Sequence, residues 1–99
     1  MYARHVTVRG LADKIDDGIR SVREQVLPLL QACDGFRGQL LLVDRQKGEA
    51  IGISLWDSEE QMQASEEKVQ QARQATADQV EASSAPDVNL YEMAVLEIP

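Results

Sequence analysis

His5 is the only histidine in the chain. It sits in an alternating run, on the same side as Thr7 and Arg9. An imidazole titrates near neutral pH, so His5 is the candidate general base. Taken by itself it reads first as a surface or hydrogen-bonded structural histidine and only second as a base, because no second group at fixed spacing completes a dyad. Ser54 and Trp56 share one face of a later run, where an indole could wall a pocket for a flat molecule or simply pack at a strand–helix junction. Glu92 lies between Leu90 and Ala94. Buried there, its carboxylate would hold its proton to higher pH; at an edge it would reach solvent. Tyr91 points the other way and offers a phenol. His5 is thus the catalytic candidate, and Thr7, Arg9, Ser54, Trp56, Tyr91 and Glu92 are the candidate substrate contacts.

Other chemistries find little support. One histidine and one cysteine with no close ligand pair do not make a metal site. Cys33 falls on an apolar helical stripe and reads as a small core residue. Arg9-Gly10-Leu11 is not a phosphate-binding loop. Glu59, Glu60, Glu66 and Glu67 read as a solvated helix face.

The elements that must position these residues follow from periodicity. Residues 2–9 alternate, with Tyr2, Arg4, Val6 and Val8 on one side and Ala3, His5, Thr7 and Arg9 on the other; this predicts a strand. Ile15, Ile19, Val22, Val26, Leu29 and Cys33 recur at helical spacing and predict a helix over 12–33 with Asp13 as N-cap. Asp16 and Asp17 suit the positive end of its dipole. Pro28 removes a helical hydrogen bond, so a kink or a distorted last turn is expected there. Residues 36–45 and 49–57 flank Gln46-Lys47-Gly48 and predict a hairpin. Ser58 and Gln61 have capping-box spacing and open a second helix reaching about Glu81. Its inner stripe is Met62, Ser65, Val69, Ala72, Thr76 and Val80, small and weakly apolar. After a break at 83–86, residues 88–98 read as a last strand.

The order β-α-β-β-α-β is the split arrangement of an α+β, ferredoxin-like fold, in one domain spanning 1–99. Two helices cover one face of a four-stranded sheet. Leu40 to Val43 are nevertheless apolar on both faces, as are the second hairpin strand and the last strand. A soluble monomer rarely leaves such a face in water, so two copies are expected to pack sheet to sheet as a homodimeric α+β barrel. The net charge of −7 comes from 17 acidic against 10 basic residues, the latter scattered singly. That balance disfavours nucleic acid and anionic membrane as partners. The longest aliphatic run, Leu40 to Val43, is far short of the ~20 residues of a membrane span. The N-terminus enters a strand directly, without the pattern of a signal peptide, and the single cysteine fits a cytoplasmic location.

Two segments carry a family pattern: Cys33-Asp34-Gly35-Phe36-Arg37-Gly38, and Ile53-Ser54-Leu55-Trp56-Asp57-Ser58-Glu59-Glu60. With Leu27-Pro28-Leu29-Leu30 and the element order, the chain resembles the antibiotic-biosynthesis-monooxygenase superfamily over nearly its whole length. The resemblance implies a dimeric α+β barrel with a cavity. It also implies a cofactor-independent oxygenase of a small aromatic or polyketide-like molecule, with no cofactor of its own. The haem-degrading branch of that superfamily uses an asparagine on the first strand and a tryptophan and a histidine on the second helix. Here those positions fall near Thr7, Ser65 and Ala75, so an axial haem ligand is missing. The alternative to an enzyme is a non-catalytic dimeric module that binds a small ligand or a partner domain, which the lack of a paired acid and base favours.

Overall fold

A computed structural model describes residues 1–99. The chain runs β1 (Tyr2–Arg9), a helical segment, β2 (Phe36–Asp44), β3 (Glu49–Trp56), a long helix and β4 (Asp87–Glu92). The four strands form one antiparallel sheet in the order β2-β3-β1-β4. The helices cover one face. This is the α+β, ferredoxin-like architecture that the patterning predicts.

The first helical segment is composite. A 3-10 turn (Ala12–Lys14) leads into α1 (Ile15–Ser21), then a π-helical turn (Val22–Val26), then α2 (Leu27–Gln31) with Pro28 in its first turn. Pro28 has no N–H to return to the Glu24 carbonyl, and the wider π turn absorbs the mismatch. The extra residue in that turn advances everything after it. The stripe Ile15, Ile19, Val22, Val26 therefore continues into Leu30, which is buried, while Leu29 is exposed. Leu29 is a correction to the predicted stripe, and Cys33 stays buried because it follows Leu30 by three residues. The predicted cap is also corrected. Leu11 and Lys14 occupy the N-cap positions of the two leading segments, neither with a side-chain bond, and Asp13 lies inside the first turn.

The second long helix, α3 (Glu59–Gln79), matches its sequence pattern closely. The Ser58 hydroxyl accepts the Gln61 N–H at 3.1 Å. Met62, Ser65, Val69, Ala72, Thr76 and Val80 are all buried. The small residues allow close packing: the Ser21 and Thr76 hydroxyls bond at 2.7 Å, and a Cβ on Gly18 would lie 2.6 Å from Val80 Cγ1.

The hairpin turn between β2 and β3 is fixed by Asp44, whose side chain accepts the N–H groups of Gln46 and Lys47. Gly48 takes φ +69°, and a side chain there would strike the Gly10 carbonyl. The last strand is shorter than predicted. β4 pairs only with β1, and β1 runs out at Tyr2, so the ladder ends with Met93 N–H on the Met1 carbonyl. Residues 94–98 have no partner strand in the chain, and Val95 and Ile98 are exposed.

Register fixes the two sheet faces. Tyr2, Arg4, Val6 and Val8 point toward the helices with Trp56, Ser54, Gly52 and Ala50 of β3 opposite them. The other face carries Ala3, His5 and Thr7 beside Leu55, Ile53 and Ile51, with Leu40 and Leu42 of β2 next in line. No helix covers that face, and Leu40 and Leu42 are each 52% exposed.

Candidate functional site

Between the helix-facing side of the sheet and the helices lies a cavity of about 80 Å³. Its walls are mainly aliphatic: Val6 and Val8 of β1, Ile19, Val22 and Val26 of the first helical segment, and Leu41 of β2. The space exists for local reasons. The π turn carries Val22 and Val26 at the cavity wall. Gly52 faces inward without a side chain, and a Cβ built there meets nothing closer than Gln39 Nε2 at 3.9 Å. On the scale where one water needs about 10–15 Å³, the cavity suits a molecule of one or two rings.

Charge enters from Arg4 and Arg73, which both line the cavity. Arg4 is 3% exposed although β1 places it among apolar residues. Its Nη2 donates to the Met62 carbonyl and to Ser65 Oγ at 2.7 Å. Its guanidinium carbon lies 5.5 Å from the Trp56 ring centroid, a cation–π distance. Arg73 grips Glu66 with two parallel bonds of 2.7 Å each. The same carboxylate reaches toward Arg4, with Oε1 3.5 Å from Nε. That is too long for a hydrogen bond, and Arg4 Nε is buried without a partner. The group is therefore two cations about one anion. The Arg73 hydrogen bonds hold the Glu66 carboxyl below the usual carboxylate range despite partial burial. Burial pulls the Arg4 guanidinium down from its ordinary value, and Glu66 opposes that; an arginine remains charged throughout the working range.

The sheet separates the residues expected to form one site. Ser54 lines the cavity, where its hydroxyl accepts the Trp56 Nε1–H at 2.8 Å. Trp56 is fully enclosed among Leu30, Cys33, Met62, Val69, Tyr2 and Phe36, so it supports the cavity rather than walling it. His5, Thr7 and Tyr91 lie on the opposite, uncovered face, because alternation along β1 and β4 puts them there. His5 and Tyr91 meet edge to face at 6.2 Å. Arg9 pairs with Glu49 at 3.3 Å and is exposed. Glu92 is exposed on the edge strand rather than buried. His5 thus cannot reach a molecule held in this cavity. Arg4 and its partners were missed. The signal was present, since Arg4 is in step with Tyr2, Val6 and Val8, and an arginine on an apolar strand face must find partners. No group of three or more His, Cys, Asp or Glu side chains is placed to hold a metal. No helix is long and apolar enough to cross a membrane.

Known structures share this architecture. A monooxygenase from the ActVA-Orf6 gene of Streptomyces coelicolor, solved with nanaomycin D, superposes with TM-score 0.78 at 14% identity, covering 99% of this chain and 91% of that one. A crystal structure named antibiotic biosynthesis monooxygenase gives TM-score 0.70 at 13% identity over 96% and 100% of the two chains. The chain shares its fold with these antibiotic biosynthesis monooxygenases. A protein of unknown function from Nitrosomonas europaea, NE2512, gives TM-score 0.74 at 20% identity over 99% and 93%. No family model matches the sequence. The uncharacterised protein Rv2557 of Mycobacterium tuberculosis is 41% identical over 96 residues, which is 97% of this chain and 42% of that protein. Rv2558 of the same organism is 44% identical over 77 residues, 78% of this chain and 33% of that protein. The chain thus spans less than half the length of the curated relatives it matches. The cavity between the sheet and the helices is where this chain gathers its convergent polar groups.

Proposed function

We propose that this domain is a cofactor-independent oxygenase whose substrate, a small one- or two-ring molecule with an acidic C–H or phenolic O–H, lies in the cavity between sheet and helices. The observation that carries this reading is the conjunction of aliphatic walls with the net positive Arg4–Glu66–Arg73 group. In a water-poor site, a fixed cation stabilises an enolate or phenolate far better than water does. The anion so favoured is the species that reacts with dioxygen. A ring methylene becomes a carbonyl, one oxygen atom of O₂ stays on carbon, and the other leaves as water with the two hydrogens. The cavity supplies orientation and exclusion of bulk water. The superfamily fold and the named monooxygenase among its structural neighbours support the same reading.

A second reading is a binding module without catalysis. It is favoured by the absence of a free base on the cavity wall: Glu66 is held by Arg73, and His5 lies across the sheet. Oxygen uptake with quinols and with two-ring ketones that carry an acidic ring methylene, such as 2-tetralone, tests the choice. Substrate-dependent uptake that survives a chelator supports the oxygenase; saturable binding without uptake supports the module.

Assembly belongs to the same proposal. Leu40, Leu42, Tyr91 and Ile53 leave a broad apolar sheet face, and packing it against a second copy removes that cost. Sedimentation at micromolar concentration is expected to give twice the 11.0 kDa of the chain; a species of chain mass would refute the dimer. The lone free cysteine suits a reducing compartment and supports the cytoplasm as the location.

A further inference from the structure

We propose that the natural ligand of the cavity is a monocarboxylate, an apolar ring body bearing one carboxylate that docks against Arg4 and Arg73. This rests on the cavity being a ligand site, which is common to both readings above, and makes a carboxylate, in place of an enolate or phenolate, the anion that the arginines hold. Three observations converge on it. The charged residues on the cavity wall are both arginines. One carboxylate, Glu66, serves the pair, and both its oxygens are already taken by Arg73 at 2.7 Å. The Arg4 side chain is 3% exposed, and its Nε–H has no acceptor.

A buried donor on a cation without an acceptor is costly, and the cost falls away when an anion arrives. Two cations and one anion leave a single charge to balance. A monocarboxylate brings the group to neutrality, with two cations against two anions. A dianion such as a phosphate monoester would overshoot, and a neutral ligand could at best accept from Arg4 Nε while leaving the net positive charge unbalanced. The rest of the wall, from Val6 and Val8 to Val22, Val26 and Leu41, offers only apolar contact. It therefore selects the apolar body while the arginines select the carboxylate. The excess negative charge of the molecule does not oppose this, because no acidic side chain lines the cavity itself.

The test compares three probes of one shape on the full chain by isothermal titration calorimetry: 1-naphthoate, 1-naphthamide and 1-naphthylmethylammonium. Naphthoate is expected to bind about ten- to a hundred-fold more tightly than naphthamide, the ratio one charge-assisted hydrogen bond supports. The ammonium probe is expected not to bind. Equal affinity for naphthoate and naphthamide would overturn the carboxylate while leaving the cavity as a ligand site. Binding by none of the three would overturn both. Arg4→Gln is expected to erase the difference between the first two probes, and a difference that persists in folded variant would overturn the role of Arg4. The probe series on the unmodified chain decides the matter even where that variant does not fold.

Discussion

Gly52→Val should plug the cavity without unfolding the protein. The backbone at Gly52 lies outside the left-handed region, and a new Cβ meets its nearest atom, Gln39 Nε2, at 3.9 Å. The added carbons must then project into a space of about 80 Å³. Two effects favour the variant. A buried valine side chain gains up to about 1.5–3 kcal/mol of apolar transfer, and a β-branched residue suits a strand better than glycine by up to about 1 kcal/mol. Against them stands any strain from neighbours that must move, about 1–3 kcal/mol in a packed core. Since the cavity is empty space rather than packed core, the favourable side should win or break even. Thermal unfolding should show Tm unchanged or raised by several degrees, at about 4–8 °C per kcal/mol for a domain of this size. The same variant should weaken naphthoate binding at least about tenfold, because ligand and side chain compete for one volume. A large fall in Tm would mean that the space at Gly52 is not there. Unchanged binding with unchanged stability would place the ligand elsewhere.

Further outcomes follow from packing and charge. Gly18→Ala should destabilise by about 1–3 kcal/mol through overpacking against Val80, more than the roughly 1 kcal/mol that alanine gains in helix propensity; chemical denaturation measures it. Ser58→Ala should cost about 0.5–2 kcal/mol by removing the cap on α3, seen as a lower denaturation midpoint. Glu66 has a folded pKa below its unfolded value, so its contribution is complete above the unfolded value near 4.3 and is lost as pH falls through the folded one. Stability should accordingly hold from pH 7 to pH 5 and fall below about pH 4.3, and Glu66→Gln should flatten part of that acid limb. A limb of unchanged steepness in that variant would remove Glu66 from the account.

Where sequence and structure agree, the signal was local. The α3 stripe from Met62 to Thr76 lies on one uninterrupted helix opened by its own Ser58 cap, so 3.6-residue periodicity suffices to read it. The two faces of β1 and β3 follow from strict alternation. Where they part, the deciding partner is distant or absent. Leu29 and Leu30 exchange roles because Pro28 provokes a π turn upstream, and periodicity alone does not count the extra residue. β4 ends early because β1 has no residue left to pair with it. The expected site joined Ser54 and Trp56 to His5 and Thr7, residues that register sends to opposite sides of one sheet. Arg4 was visible on an apolar face, but its meaning depended on Ser65, Glu66 and Arg73, which lie some sixty residues away on α3.

The most direct test of the account is oxygen consumption with a two-ring substrate that carries an acidic ring methylene, such as 2-tetralone, in chelator-treated buffer, by the unmodified chain and by Gly52→Val. The account predicts saturable uptake by the unmodified chain and its loss in the folded, plugged variant. Uptake that is equal in both would contradict a reaction in this cavity.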